Sequence, residues 1–192
     1  MTAPEAPQPR WWHRAPATLL LLAALATARA CHHLRTQQHS FSWDSLRLLQ
    51  DIDASPPQTC QHQAPTFRFP DTLLHNSHPQ QAAVAALRIL QHLFTTLNSS
   101  STPQHWNAKA QQELLNNLHH YIASLEQCLA TTGTLLKTKQ GPRNLLLAIN
   151  KYFTNIQHFL HAHNHTACAW DHVRLEARAC FQHVDRLIQQ MR

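Results

Sequence analysis

At 192 residues the chain is one domain's worth, long enough to bury a single sizeable core. Two glycines are too few for a glycine-rich nucleotide loop or for many tight hairpins, and 16 basic against 10 acidic residues do not make the dense Lys/Arg stripe of a nucleic-acid binder. The eleven prolines gather in a few clusters between long Leu/Ala/Gln/His-rich segments of helical period, so the predicted class is all-α.

The N-terminus reads as a processing signal. Arg10 and Arg14 mark a basic region, Ala17 to Ala26 is a short leucine-rich apolar run, and Ala28-Arg29-Ala30 supplies small residues before a cleavage site. The run is about half the roughly 20 residues that a membrane span requires, and nothing later in the sequence is apolar enough to span. Residues 1–30 are therefore expected to be removed, leaving 31–192 as a secreted helical domain. Arg10, Arg14, Arg29 and Glu5 leave with the signal, so 13 of 16 basic and nine of 10 acidic residues remain, net +4. Such a mild positive charge suits an acidic partner surface.

Five helical segments follow. The first is predicted from about Ser42 to Asp53, with Leu46, Leu49 and Ile52 on one face. The connection from Ala54 to His78 holds Pro56, Pro57, Pro65 and Pro70, which stiffen it, and Phe67 and Phe69, which are expected to dock on the helices. A loop this long is foreign to a simple up-down bundle and fits one with long crossover connections, the cytokine arrangement. The second helix follows Pro79 with Ala83, Leu87, Leu90, Leu93 or Phe94, and Leu97, and ends at Asn98 and three serines. The third is predicted to start at Thr102-Pro103, an N-cap followed by proline at the first helical position, and runs through Trp106, Ala110, Leu114, Leu118, Tyr121 and Leu125 to Cys128.

Gly133 and Gly141-Pro142 punctuate the next connection. The fourth helix carries Leu145 or Leu146, Ile149, Tyr152 or Phe153, Ile156, and Phe159 or Leu160. The fifth opens at Cys168-Ala169-Trp170-Asp171-His172-Val173-Arg174, and its stripe of Trp170, Val173, Ala177, Phe181, Val184 and Ile188 faces a core. At about 100° per residue, Arg174, Arg178 and Gln182 fall beside that stripe. Leu175, Ala179 and Arg186 lie further round toward solvent, which leaves a mixed cationic and apolar surface.

Secretion favours disulfides among the five cysteines, and no Cys-x-x-Cys pair points to zinc or redox chemistry. Position makes Cys31, Cys60, Cys128 and Cys168 look like staples, although spacing alone does not choose their pairing. Cys180 lies on the apolar side of the last helix and reads as a small buried residue. Asn98-Ser99-Ser100 and Asn164-His165-Thr166 are acceptor sequons in polar loops, so Asn98 and Asn164 are expected glycosylation sites.

Four motifs, in order behind the signal, carry a resemblance: Leu34-Arg35 after the N-terminal cysteine, Cys60-x6-Phe67-x-Phe69-Pro70, Leu125-Glu126-x-Cys128, and Cys168-Ala169-Trp170-Asp171-x-Val173-Arg174. Through them the sequence resembles the type I interferons, most closely the avian alpha/beta branch, over nearly all of residues 31–192. The resemblance implies a left-handed five-helix bundle with bridges Cys31–Cys128 and Cys60–Cys168. It implies a monomeric cytokine that engages interferon alpha/beta receptor chains 1 and 2 and induces antiviral genes through JAK-STAT signalling. Receptor chain 2 would meet the first long loop and the last helix, at Arg174, Leu175, Arg178, Ala179 and Gln182, and receptor chain 1 the second, third and fourth helices. The loop departs from the mammalian pattern at Ala64, where an arginine is expected.

A secreted helical enzyme would need a nucleophile with its base, paired carboxylates or a motif such as His-Glu-x-x-His. None is present, so no catalytic residue and no cofactor is assigned. The 17 histidines, with His161-x-His163-x-His165, raise the alternative of a histidine-rich secreted metal-binding protein. As polar surface residues in a loop, these histidines are expected to form no metal site.

Overall fold

The computed structural model describes residues 40–53, 67–74, 79–131 and 143–191. The expected signal, the start of the chain and the Ala64 loop lie outside them. Five α-helices and no strand occur among the described residues: α1 (40–51), α2 (Pro79–Leu97), α3 (Ala108–Thr131), α4 (Arg143–Ala162) and α5 (Ala167–Gln189). A 3-10 turn at Asp71–Leu73 belongs to the first crossover.

α2 is the hub and packs against α3, α4 and α5. Its first half is buried nearly all round, from Ala82 through Leu87, as befits a helix surrounded by others. Alanines at 82, 83, 85 and 86 have no side-chain bulk to hold the neighbours apart. The α5 stripe is as predicted: Trp170, Val173, Ala177, Phe181, Val184 and Ile188 are all buried, joined by Ala169, Cys180 and Leu187. α1 is tied to α5 at one end, where Ser42 Oγ donates to Asp185 Oδ1 at 3.1 Å. Nearby, the Phe41 ring stacks on Tyr121 of α3 at 3.9 Å and meets Phe181 edge-on.

α3 begins later than its sequence signal. Residues 99–106 form successive turns instead, and Asn107 is the cap, its Oδ1 accepting the Lys109 and Ala110 N–H groups at 3.1 and 3.2 Å. Two long-range contacts outweigh the Thr102-Pro103 start. Trp106 is buried edge-on against Trp170 at 5.3 Å, and the Asn107 N–H donates to the Ile52 carbonyl at the end of α1. Trp170 Nε1 in turn donates to the Ser101 carbonyl at 2.8 Å, which fixes the turns onto α5.

The α4–α5 turn is tight. Asn164 and His165 adopt φ near +50°, a region in which asparagine and histidine are enriched. The His165 N–H closes onto the Leu160 carbonyl, and Thr166 caps α5 by accepting from the Ala169 N–H. His161 thus ends α4 rather than sitting in a loop. Cys128 and Cys168 are each disulfide-bonded, and Cys180 is free and buried. Cys31 and Cys60 lie outside the described residues.

Candidate functional site

Opposite its buried stripe, α5 presents a row along its outer side. Leu175 is 59% exposed, one of three large apolar side chains so placed among the described residues with Trp43 and Leu147, and Arg178, Gln182 and Arg186 are exposed around it, while Ala179 is half-buried. The helical angle turns Arg178 toward α1, and Ala179 toward the other flank.

Arg174 departs from its expected role as a surface cation. Its side chain is only 14% exposed, Nη2 lies 3.6 Å from Asp171 Oδ1 one turn earlier, and Nε is buried without a hydrogen-bond partner. The cause is a neighbour that helical periodicity cannot see. The end of α1 brings Asp53 against α5, where it hydrogen-bonds to Asp171, and His105 Nε2 approaches Asp53 Oδ2 at 3.6 Å. Burial holds the Asp171 carboxyl above its usual range, Arg174 opposes that, and the Asp53 charge adds to it. Arg174 is the counter-ion of this acidic pair, with its aliphatic stem covered.

On the α4 side of α5 the interface is polar and partly buried. The Tyr152 hydroxyl donates to Glu176 Oε1 and touches Cys180 Sγ at 3.2 Å. Burial raises the Tyr152 phenol and the Glu176 carboxyl and pushes the Cys180 thiol up to about 12, so that thiol is inert. No sequence signal marked these partners, since each pair joins distant segments.

A second surface lies between α2, α3 and α4. It is a groove of about 660 Å³ with Val84, Leu87, Ala123 and Leu146 on its floor, rimmed by Arg88 and Glu126. The rim is ordered by side-chain bonds: Arg88 Nε and His92 Nε2 share Asn150 Oδ1 at 3.0 and 2.9 Å, and Gln91 Nε2 donates to Glu126 Oε1 at 2.9 Å. Elsewhere, Trp43 of α1 is exposed with the Arg47 guanidinium 5.4 Å from its ring centroid.

The histidine run does not converge. The His163 ring leans on Phe159 and its Nδ1 meets the Phe159 carbonyl, whereas His161 and His165 pack edge-on against each other. Among the described residues no three His, Cys, Asp or Glu side chains gather to hold a metal ion, and no helix is long and apolar enough to cross a membrane. Asn98 and Asn164 are both exposed. They share one pole of the bundle, where Gln157 of α4 donates to Thr96 at the end of α2.

Comparison with known proteins agrees with this architecture. A family model described as Interferon alpha/beta domain matches residues 34–191. Interferon type B of Gallus gallus is 54% identical to the chain over 174 residues, which is 91% of this chain and 85% of that relative. The Interferon of Meleagris gallopavo is 46% identical over an aligned length of 193 residues, covering 100% of both. Among solved structures, Zebrafish interferon 1 is similar in fold, with a TM-score of 0.65 and 17% identity over 80% of this chain and 96% of that one.

Proposed function

The chain belongs to the interferon alpha/beta family, a type I interferon cytokine and not an enzyme, and we propose that it is secreted and signals by bringing together interferon alpha/beta receptor chains 1 and 2. As a cytokine of this family it binds a cytokine receptor. The finer reading assigns receptor chain 2 to the outer row of α5, namely Leu175, Arg178, Ala179 and Gln182, with Arg174 behind them as support. Receptor chain 1 is assigned to α2, α3 and α4, at the groove rimmed by Arg88 and Glu126. Antiviral gene induction follows from the pairing of the two chains.

The observation that carries this reading is the exposed Leu175 with Arg178 one turn away on a helix whose other side is fully packed. Arginine is enriched at interface centres, where truncating an important side chain costs roughly 2 kcal/mol or more, and the exposed Leu175 adds apolar area beside it. Processing after Ala30 accounts for the leader, which has the charge and apolar length of a secretory signal. In this reading Cys31 pairs with Cys128 and Cys60 with Cys168, as the family resemblance implies; that Cys128 and Cys168 are both bonded and Cys180 is free supports these four as the bridging cysteines. Asn98 and Asn164 carry N-glycans at the pole where they are exposed.

Surface plasmon resonance on the purified ectodomains of host-matched receptor chains 1 and 2, with an interferon-response reporter in host cells, tests the reading. Binding to both chains and reporter induction are expected. A folded, secreted protein that binds neither ectodomain overturns it.

A further inference from the structure

Residues 67–74 of the first crossover lie as a strap along α4 and α5. The strap is fastened by rings and one amide. Phe67 meets Phe159 edge-on at 5.2 Å, and Phe69 meets Tyr152 edge-on at 5.3 Å while stacking on His183 at 4.0 Å with 18° between the planes. Gln190 Nε2 donates to the Leu74 carbonyl at 2.6 Å. Of these fasteners, the His183 imidazole is the one whose charge changes between about pH 5 and 8.

His183 sits in an environment that suits its neutral form. Nδ1 is buried and has no hydrogen-bond partner, so a proton placed there gains a donor with nothing to donate to. The charged groups acting on it are Arg186 on its own helix, which opposes protonation, and Asp71 on the strap, which favours it. From α4 comes the Tyr152 phenol, which burial keeps neutral, and on its own helix the buried Cys180 thiol lies one turn before it. Burial is the largest influence, and it lowers the affinity of His183 for a proton. The side chain also stands next to the outer row of α5, on the flank to which Ala179 turns, so the strap forms the edge of that row.

We infer that His183 is a pH-sensitive latch and a positioning residue for the α5 surface: the neutral imidazole holds Phe69 and the strap in place, and its protonation releases them. The sign follows from linkage. The docked strap adds to the burial that disfavours the His183 proton, so the released form takes up a proton more readily, at a pH nearer the ordinary histidine value of about 6.5. Docking is therefore at full strength above about pH 6.5 and weakens as pH falls from there to the lowered value of the docked form, levelling off below it. Within that window the docked-to-released ratio falls by up to about tenfold per pH unit. A cytokine carried with its receptor into an acidifying compartment would lose the edge of its contact surface there. That consequence rests on the assignment of the α5 row to receptor chain 2.

Hydrogen exchange of the whole protein, followed by mass spectrometry at pH 7.4 and 5.5 with intrinsic rates corrected, reads the strap directly. Receptor dissociation rates at the same two pH values read the consequence. For the parent protein, exchange in 67–74 should rise at pH 5.5 while α2 and α3 stay protected, and release from receptor chain 2 should be at least about threefold faster, well inside the tenfold-per-unit limit. His183→Phe, which keeps a ring in the stack without a titrating group, should make both readouts independent of pH. His183→Gln gives a second uncharged variant should the bulkier ring fail to pack. Strap exchange that ignores pH in the parent, or that responds equally in the folded variants, overturns the latch. A strap that opens with acid in the parent alone, with receptor release unchanged, keeps the latch and overturns the assignment of the α5 row to receptor chain 2.

Discussion

Replacing Arg174 by alanine is expected to cost stability, whereas replacing its neighbours Leu175 or Arg178 is expected to cost affinity alone. The guanidinium lies 3.6 Å from Asp171, and both side chains are largely buried. At that distance and an effective dielectric of about 20 the gross attraction is about 4–5 kcal/mol. Desolvation and side-chain ordering leave a net of about 1–3 kcal/mol when the charged partner loses its bond. For a domain of this size each kcal/mol moves the melting temperature by about 2–4 °C, so Arg174→Ala should melt roughly 2–12 °C lower than the parent.

The deficit should also depend on pH. Burial already holds the Asp171 carboxyl above its usual range, and Arg174 is the influence that pulls it down. Without the guanidinium the folded protein takes up a proton on Asp171 more readily than the unfolded chain, so the deficit should shrink as pH falls from about 7 toward about 4. Leu175→Ala and Arg178→Ala, at exposed positions, should melt within about 2 °C of the parent, because surface changes stay near ±0.5 kcal/mol. Each should weaken binding to receptor chain 2 by about tenfold or more, chiefly through a faster dissociation rate. Calorimetry and surface plasmon resonance on the three variants decide the matter. An Arg174→Ala protein that melts like the parent at every pH and still loses affinity would refute the counter-ion role and make Arg174 a direct contact.

Trp170→Ala removes a fully buried ring together with its edge-on contact to Trp106 and its bond to the Ser101 carbonyl. It should cost about 3–5 kcal/mol, and a variant with parental melting behaviour would mean that the turns before α3 are not held by this ring. Non-reducing peptide mapping should find Cys31 linked to Cys128 and Cys60 to Cys168, each bridge closing a loop of roughly 100 residues and contributing on the order of 4–5 kcal/mol, with less than the sum for both because the loops overlap. A major species containing Cys180 in a bridge would sink that pairing. Secreted protein should lose mass on treatment with an N-glycosidase, and the double variant Asn98→Gln, Asn164→Gln should not; a parent whose mass is unchanged by the enzyme rejects both sites.

Local signals succeed in this chain where packing repeats what periodicity says. The α5 stripe is legible because each of its apolar residues recurs at three or four positions and finds a helix waiting on that side. Phe67 and Phe69 stand out as aromatic residues in a proline-rich stretch of sequence. The start of α3 is misread because Thr102-Pro103 satisfies the capping rules locally, while the decisive contacts of Trp106 and Asn107 reach α5 and the end of α1. Arg174 is misread similarly. Its place beside the stripe predicts exposure for an isolated helix, and only the arrival of Asp53 against Asp171 shows it to be covered. The strap's hold on His183 was invisible for a related reason, since a lone histidine on a helix gives no hint of an aromatic ring 114 positions earlier in the chain.

These long-range placements also bear on how two receptor chains could be held at once. The outer row of α5 faces away from the stripe by which that helix packs on α2, and the Arg88 and Gln91 side of α2 is turned toward α3 and α4, where it rims the groove. The two proposed surfaces therefore lie on opposite sides of the α2–α5 contact, with a fully buried part of the core between them. That core contains Ala86, Ile89 and Leu90 of α2 and Trp170, Cys180 and Phe181 of α5, all at most 1% exposed. A close-packed interior of this kind resists deformation, so the buried core between the two surfaces acts as a stiff spacer. In the proposed two-receptor reading, bringing the receptor chains together would depend on the separation of the two faces by this core rather than on a change of shape in the cytokine, and release of the strap would alter the α5 face alone.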